Sequence, residues 1–333
     1  MTRLFIYNLP TLYSNLLCEP IVQHVRDASQ AESELEVERD EFATDAPSSE
    51  ETRRLVVVTY NIRYAVGSHL IGGSLLRRAG LGWPGRRPGL VGENIRRAAG
   101  LLSDGARLPR ADVVALQEAD RGTLRAGGRH VARELAAELR MNYVRAHVPT
   151  PAHVEPKDRK WWLDFEERMT RGEEGDTGVA ILSRLPLSHT SRIELPWGAC
   201  PWRPRLAVSA SVPFGGSRLH VFNAHIDTHA TVEGQLRQHR TVLALAARTA
   251  EPTVLLGDFN TLNDEGRHAA RELLESEGYA TPMPTNTATW RSGPIRHHFD
   301  WIFVRGARVL RWGVARVRGI SDHWPVWVEI EPE

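Results

Sequence analysis

Lysine is almost missing from this 333-residue chain: Lys157 and Lys160 are the only two, so nearly all the positive charge is arginine. Lys plus Arg number 42 against 41 acids, a formal charge of +1, which excludes a broadly basic surface that would track nucleic acid and leaves only local patches. Cysteine is as scarce. Cys18 and Cys200 cannot build a disulfide framework, and neither stands in a Cys-x-x-Cys spacing, so thiolate metal sites are excluded and a reducing, cytoplasmic location is expected. No apolar run reaches the ~18 residues of a membrane span, so no transmembrane segment is expected. What remains is a globular composition, 41% apolar and 25% charged, sufficient for a sizeable core.

Residues 1–53 differ from the rest. Leu4 to Leu17 is apolar but interrupted by Asn8, Pro10 and Asn15, with only Arg3 as a basic flank, a poor signal peptide; the bulky Leu17 before Cys18 argues against a lipoprotein signal. From Asp27 to Glu51 acids dominate, and 1–53 is expected to be an acidic, poorly ordered tail before a domain over 54–333. That domain opens with a β-branched and aromatic run, 55–62, typical of a buried strand. Further strands are expected at 112–117, 143–148, 178–183, 205–212, 218–225, 253–258, 298–304, 308–317 and 325–330. Helical spacing marks 129–140 and 232–248. Many strands with few helices between them predict two sheets packed face to face with helices outside. Two long loops, 65–91 and 149–176, are candidates for specificity, and Trp161, Trp162, Trp197 and Trp202 for an apolar wall.

Several strands end in polar residues that a buried run does not need: Asn61, Glu118, Asn223-Ala224-His225-Ile226-Asp227, and Gly257-Asp258-Phe259-Asn260. Asp300 opens a later strand and Ser321-Asp322-His323 precedes the last one. Period two puts Asn223, His225 and Asp227 on one face, and likewise Asp258 with Asn260. Such groups are expensive to bury unless they bind something charged, and a divalent cation with a phosphate is the natural guest. Each motif alone has a structural reading: an Asx turn at Asp258, a helix cap at Glu118, a core histidine at His225, an ion pair at Asp300, a sheet-edge salt bridge at Arg205. The set carries more than its members.

Taken in order, Asn61, Leu116-Gln117-Glu118, Gly178 to Ser183, His225, Gly257-Asp258-Phe259-Asn260, Asp300 and Ser321-Asp322-His323 closely resemble the endonuclease/exonuclease/phosphatase superfamily, over about 55–330. The resemblance implies a DNase I-like α/β fold: a four-layered α/β/β/α sandwich of two mixed β-sheets flanked by helices, with the site at one sheet edge. It implies a Mg2+-dependent phosphoester hydrolase, with Mn2+ as a substitute cation. Glu118 resembles the principal metal ligand, and Asn61 and Asp322 neighbouring ligands or partners of its water. Asp258 and Asn260 resemble the pair that orients the attacking water, His323 paired with Asp300 the essential histidine, and His225 a second histidine near the phosphate. Arg205, opening a strand, is a candidate phosphate contact beside Asn61. Val179 stands where many relatives have Asn, a change behind the site groups. Arg63 stands where abasic-site endonucleases carry an acid, and His225 replaces their Tyr/Asn arrangement; these two argue against that repair branch. The substrate is left open among a lipid head group, an inositol phosphate, a nucleotide and nucleic acid, with no obligate protein partner. A DNase I-type endonuclease and a non-catalytic binding protein on the same sandwich are the rival readings.

Overall fold

The centre of the molecule is set by two β-branched runs, β2 (Leu55–Asn61) and β9 (Thr253–Asp258), each buried along its whole length as strands covered on both faces are. The computed structural model describes residues 37–43, 53–67, 87–149, 175–196 and 205–333. A seven-stranded sheet runs in the order β1 (Glu38–Asp40), β4 (Asn142–Pro149), β5 (Asp176–Ser183), β3 (Val113–Gln117), β2, β14 (Val326–Pro332) and β13 (Ala307–Val314). A five-stranded sheet runs β12 (Asp300–Arg305), β9, β8 (Ser217–His225), β7 (Leu206–Phe214), β6 (Ser188–Glu194). Both are mixed: β2 pairs with β3 and β8 with β9 in parallel, and the other pairings are antiparallel. A small hairpin joins β10 (Trp290–Ser292) to β11 (Ile295–His297).

Alternation along the strands builds three apolar layers. Val57, Val113 and Ile181 from the larger sheet meet Val208, Val221 and Leu256 from the smaller one. The opposite faces are covered by helices. Val58, Val114 and Leu182 pack on Ile95 of α1 (Arg87–Ser103) and Leu135 of α2 (Val131–Leu139). Phe222, Leu255 and Phe303 pack on Val242 of α3 (Val232–Ala246) and Leu274 of α4 (Asp264–Ser276). The result is the expected α/β/β/α sandwich.

Several elements differ from the sequence reading for local reasons. Residues 87–91, read as part of a Gly/Pro-rich loop, begin α1; Pro88 falls in its first turn, where a missing N–H costs nothing. Helix α4 starts at the cap Asn263, whose Oδ1 accepts the Gly266 N–H at 2.8 Å, after a stretch read only as a turn. Strand β6 is a polar edge strand without an apolar run. Part of the segment assigned to the tail is also ordered: Glu38–Asp40 pairs antiparallel with β4 at the sheet edge. Among the described residues no helix is long and apolar enough to cross a membrane.

Candidate active site

The parallel pairs bring the C-terminal ends of β2, β3, β8 and β9 to one edge of the sandwich, and register does the rest. In the smaller sheet His225 is paired with Asp258, and Asp258 with Asp300, so three polar side chains stand side by side across β8, β9 and β12. In the larger sheet Asn61 is paired with Gln117, and Glu118 follows directly in a left-handed conformation, φ +53°. Residues outside glycine hold that conformation only where the surroundings over-determine it.

The two sheets are pinned together beneath this edge. Asn61 Nδ2 donates to Asp258 Oδ2 at 2.9 Å and to Glu118 Oε1 at 3.3 Å, while its Oδ1 accepts the Arg63 N–H at 2.9 Å. Deeper, Gln117 Nε2 donates to Asn223 Oδ1 at 2.7 Å, and Asn223 Nδ2 to the carbonyls of Leu116 and Ala180 at 2.8 and 2.9 Å. Asn223 is thus a cross-sheet tie, with no exposure.

His323 arrives from the segment before β14, bridged to Trp290 of the hairpin. Its Nδ1 lies 2.9 Å from Asp300 Oδ2 and its Nε2 3.8 Å from Asp258 Oδ2. Burial alone would push the imidazole pKa down, but the Asp300 and Asp258 carboxylates override it and hold the charged form up to about 10. Asp258 moves up to about 7, through burial first, with Asp300 adding to the rise and His323 and Asn61 opposing it. Ligand atoms of Asp258, Asp300 and His323 fall within 4.8 Å of one another, a spacing that could hold a cation. An imidazolium carries a proton on both nitrogens and has no lone pair for a metal, so the three are better described as an acid–base group.

The Gly-Asp-Phe-Asn turn is locked in place. Gly257 has φ +139°, and a Cβ there would lie 1.9 Å from the Ala224 carbonyl of β8, so no other residue lets β8 and β9 approach this closely. Asn260, also left-handed at φ +49°, donates from Nδ2 to the Ile226 carbonyl at 2.9 Å, and its N–H goes to Asp258 Oδ1 at 2.9 Å. Gln235 of α3 ties the two loops, donating to the carbonyls of Asp227 and Asn260 at 3.0 and 3.1 Å. Sequence reading missed Gln235; a buried glutamine on a helix that follows the His225 strand was the available signal.

Arg205 Nη1 stands 3.1 and 3.0 Å from the two ring nitrogens of His225, whose Nε2 is 3.7 Å from Asp258 Oδ2. Asp322 is engaged by Arg63, Nη1 to Oδ2 at 3.4 Å, so the basic residue that departs from the repair enzymes neutralises an expected ligand. Val179 lies in the layer between the sheets, paired with Ala146 of β4. The candidate residues fit a divalent cation at Glu118: it is 7% exposed, and its Oε2 has no hydrogen-bond partner among the described residues, which leaves a carboxylate oxygen available beside the Asn61 amide. Trp161, Trp162, Trp197, Trp202 and most of the loops 65–91 and 149–176 lie outside the described residues.

Known proteins share this plan. YbhP of Escherichia coli strain K12, described as an uncharacterized protein, is 26% identical over 243 residues, spanning 69% of this chain and 87% of that protein. A crystal structure of an endonuclease/exonuclease/phosphatase from Beutenbergia cavernae matches 84% of this chain and 72% of its own with a TM-score of 0.59 at 21% identity. The structure of D. rerio TDP2 complexed with single-strand DNA product matches 84% of this chain and 99% of its own, with a TM-score of 0.54 at 16% identity, a likeness of fold. The sequence profile of the Endonuclease/Exonuclease/phosphatase family aligns with residues 58–323, from β2 to His323 and so across every polar strand end described above. By that match and that sandwich, the chain belongs to the endonuclease/exonuclease/phosphatase family.

Proposed function

We propose that the protein is a Mg2+-dependent phosphoester hydrolase whose own side chains position a water for attack on phosphorus. The observation that carries this reading is the meeting of Glu118 and Asn61 from one sheet with Asp258 and Asp300 from the other, and with His323 from the segment before β14. Glu118, with the Asn61 amide beside it, is the candidate cation site, Asp322 being taken by Arg63; a bound Mg2+ would neutralise charge on the phosphoryl oxygens. Asp258, its pKa raised to about 7, takes a proton from the water as the new oxygen–phosphorus bond forms, and Asn260 orients that water. His323, kept protonated by Asp300, donates from Nε2 to the leaving oxygen as its bond to phosphorus breaks. Arg205 and His225 stand together to receive the phosphoryl oxygens.

The side chains at the strand ends suit any phosphoester, so substrate class is decided by assay. Purified protein with Mg2+ is offered bis-p-nitrophenyl phosphate, supercoiled plasmid, sphingomyelin and inositol phosphates, each with and without EDTA. The expected result is hydrolysis of the small diester and of one natural class, abolished by EDTA and restored by Mg2+ or Mn2+. Full activity in chelator, or no hydrolysis of any substrate by folded protein, overturns the reading. Nicking of plasmid alone would instead establish the endonuclease alternative.

A further inference from the structure

The left-handed turn at Glu118 is held by backbone bonds, the Tyr64 N–H to the Glu118 carbonyl at 3.0 Å and the Ala119 N–H to the Gly178 carbonyl at 2.9 Å, and the next two residues are each also gripped by a buried arginine. Asp120 receives Arg125 through Nε at 2.6 Å and Nη2 at 2.9 Å, and that guanidinium stacks 4.3 Å from the centre of the Tyr64 ring. Ala119 offers its carbonyl to Arg145 Nε at 2.8 Å. The Arg145 side chain is fully enclosed, and it passes over Gly178, where a Cβ would meet the guanidinium at 3.2 Å and the Ala146 carbonyl at 2.4 Å.

An enclosed guanidinium needs anions around it. Asp176 pairs with Arg145 Nη2, but it also holds Arg121, at 2.6 Å from Nη2 and 2.9 Å from Nε. Two cations thus share one carboxylate. The second carboxylate comes from β1. Glu38, the cross-strand partner of Arg145, places Oε2 at 3.3 Å from Arg121 Nη1 and 3.5 Å from Arg145 Nη1. Its Oε1 accepts from Tyr143 Oη at 2.6 Å and meets His130 Nε2 at 2.5 Å. Among the described residues, β1 is the part of the acidic N-terminal segment that reaches this cluster, and its strand lies outside the 58–323 that the family profile covers.

We propose that Glu38 and Arg145 are positioning residues of the Glu118 site, so that β1, docked on the sheet edge, completes the site from outside the residues that the family profile covers. This rests on the metal-dependent reading above. Without Glu38 the two guanidiniums must divide Asp176 between them, Arg145 relaxes from the Ala119 carbonyl, and the Glu118 turn loses one of the contacts that position its carboxylate, leaving the backbone bonds and Asn61 to hold it less tightly. Asp258, Asn260 and His323 sit on other elements and keep their arrangement, so the loss falls on cation binding rather than on the chemical step.

The test measures Mn2+ binding to the full-length chain by the electron paramagnetic resonance signal of free Mn2+, for wild type, Glu38→Gln, Glu38→Asp and Asp40→Asn. The last removes only the exposed Asp40–Arg133 pair from the same strand. Glu38→Gln should weaken Mn2+ binding about tenfold, as loss of a supporting partner does at other metal sites, with Glu38→Asp recovering part of it and Asp40→Asn unchanged. The Mg2+ activation constant should shift by the same factor while kcat at saturating Mg2+ stays within about twofold. Wild-type Mn2+ affinity in Glu38→Gln overturns the proposal, even where its melting temperature falls, since Glu38 would then be structural only. A wild-type chain that binds no Mn2+ overturns the metal reading itself.

Discussion

His323 Nδ1 lies 2.9 Å from Asp300 Oδ2, and the Asp300 backbone N–H is itself held by Thr289 Oγ1 at 3.0 Å. The carboxylate therefore fixes the plane of the ring, and its charge keeps the imidazolium protonated against burial. Acting as a unit, the two are expected to fail as a unit. His323→Ala and Asp300→Asn should each lower kcat by about 10²- to 10⁴-fold, and the double variant should lose little more than the worse single one. Multiplicative losses in steady-state kinetics would show that Asp300 only supports the sheet.

Glu118→Gln keeps the shape of the side chain and an oxygen for the Asn61 contact but removes the negative charge. If Glu118 holds the cation, the Mg2+ concentration for half-maximal activity should rise about tenfold or more, while circular dichroism and melting temperature stay near wild type. An unchanged Mg2+ titration would move the cation site elsewhere, with the Asp258, Asp300 and His323 group as the remaining candidate among the described residues.

The β-branched runs were legible because burial on both faces writes itself as an uninterrupted apolar string; 253–258 coincides with β9 residue for residue. The polar strand ends were legible for the opposite reason, since Asn61, His225 and Asp258 stand where such strings have no use for them. Elements stabilised by particular partners were not. Strand β1 has no apolar pattern and is held by Glu38 ion pairs to residues some hundred positions away, and β6 shows only a polar edge. Nor could spacing show that Asp322 faces Arg63, because the partner is fixed by a turn with left-handed backbone at Arg63, Tyr64 and Ala65. Helix α1 could have been read: Val91, Ile95, Ala98 and Leu102 follow a helical period that the preceding glycines and prolines obscured.

The glycine of Gly-Asp-Phe-Asn makes a separate prediction. A methyl group at 257 would collide with the Ala224 carbonyl, and the backbone there is one that side chains resist. Gly257→Ala should cost about 2–3 kcal/mol in urea denaturation and, by prising β8 from β9, separate His225 from Asp258 and depress kcat as well. Wild-type stability in that variant would mean the two strands approach less closely than the register requires.

His239 of α3 is fully buried against the Phe259 ring, 4.5 Å between centres in an edge-on arrangement, and neither ring nitrogen has a hydrogen-bond partner among the described residues. Burial depresses its pKa to about 3. In the unfolded chain the same imidazole titrates near 6.5. Between those values the unfolded state binds the extra proton, so stability contributed by the neutral ring is intact above pH ~6.5 and falls by about 1.4 kcal/mol per unit as pH drops toward 3. His239→Leu removes the titrating group while filling similar space. Its stability relative to wild type should be within about 1 kcal/mol at pH 8 and about 2 kcal/mol more favourable at pH 5. Urea denaturation at the two pH values reads the difference directly. Parallel shifts at both would show that His239 is not the neutral buried group whose protonation lowers stability below pH ~6.5.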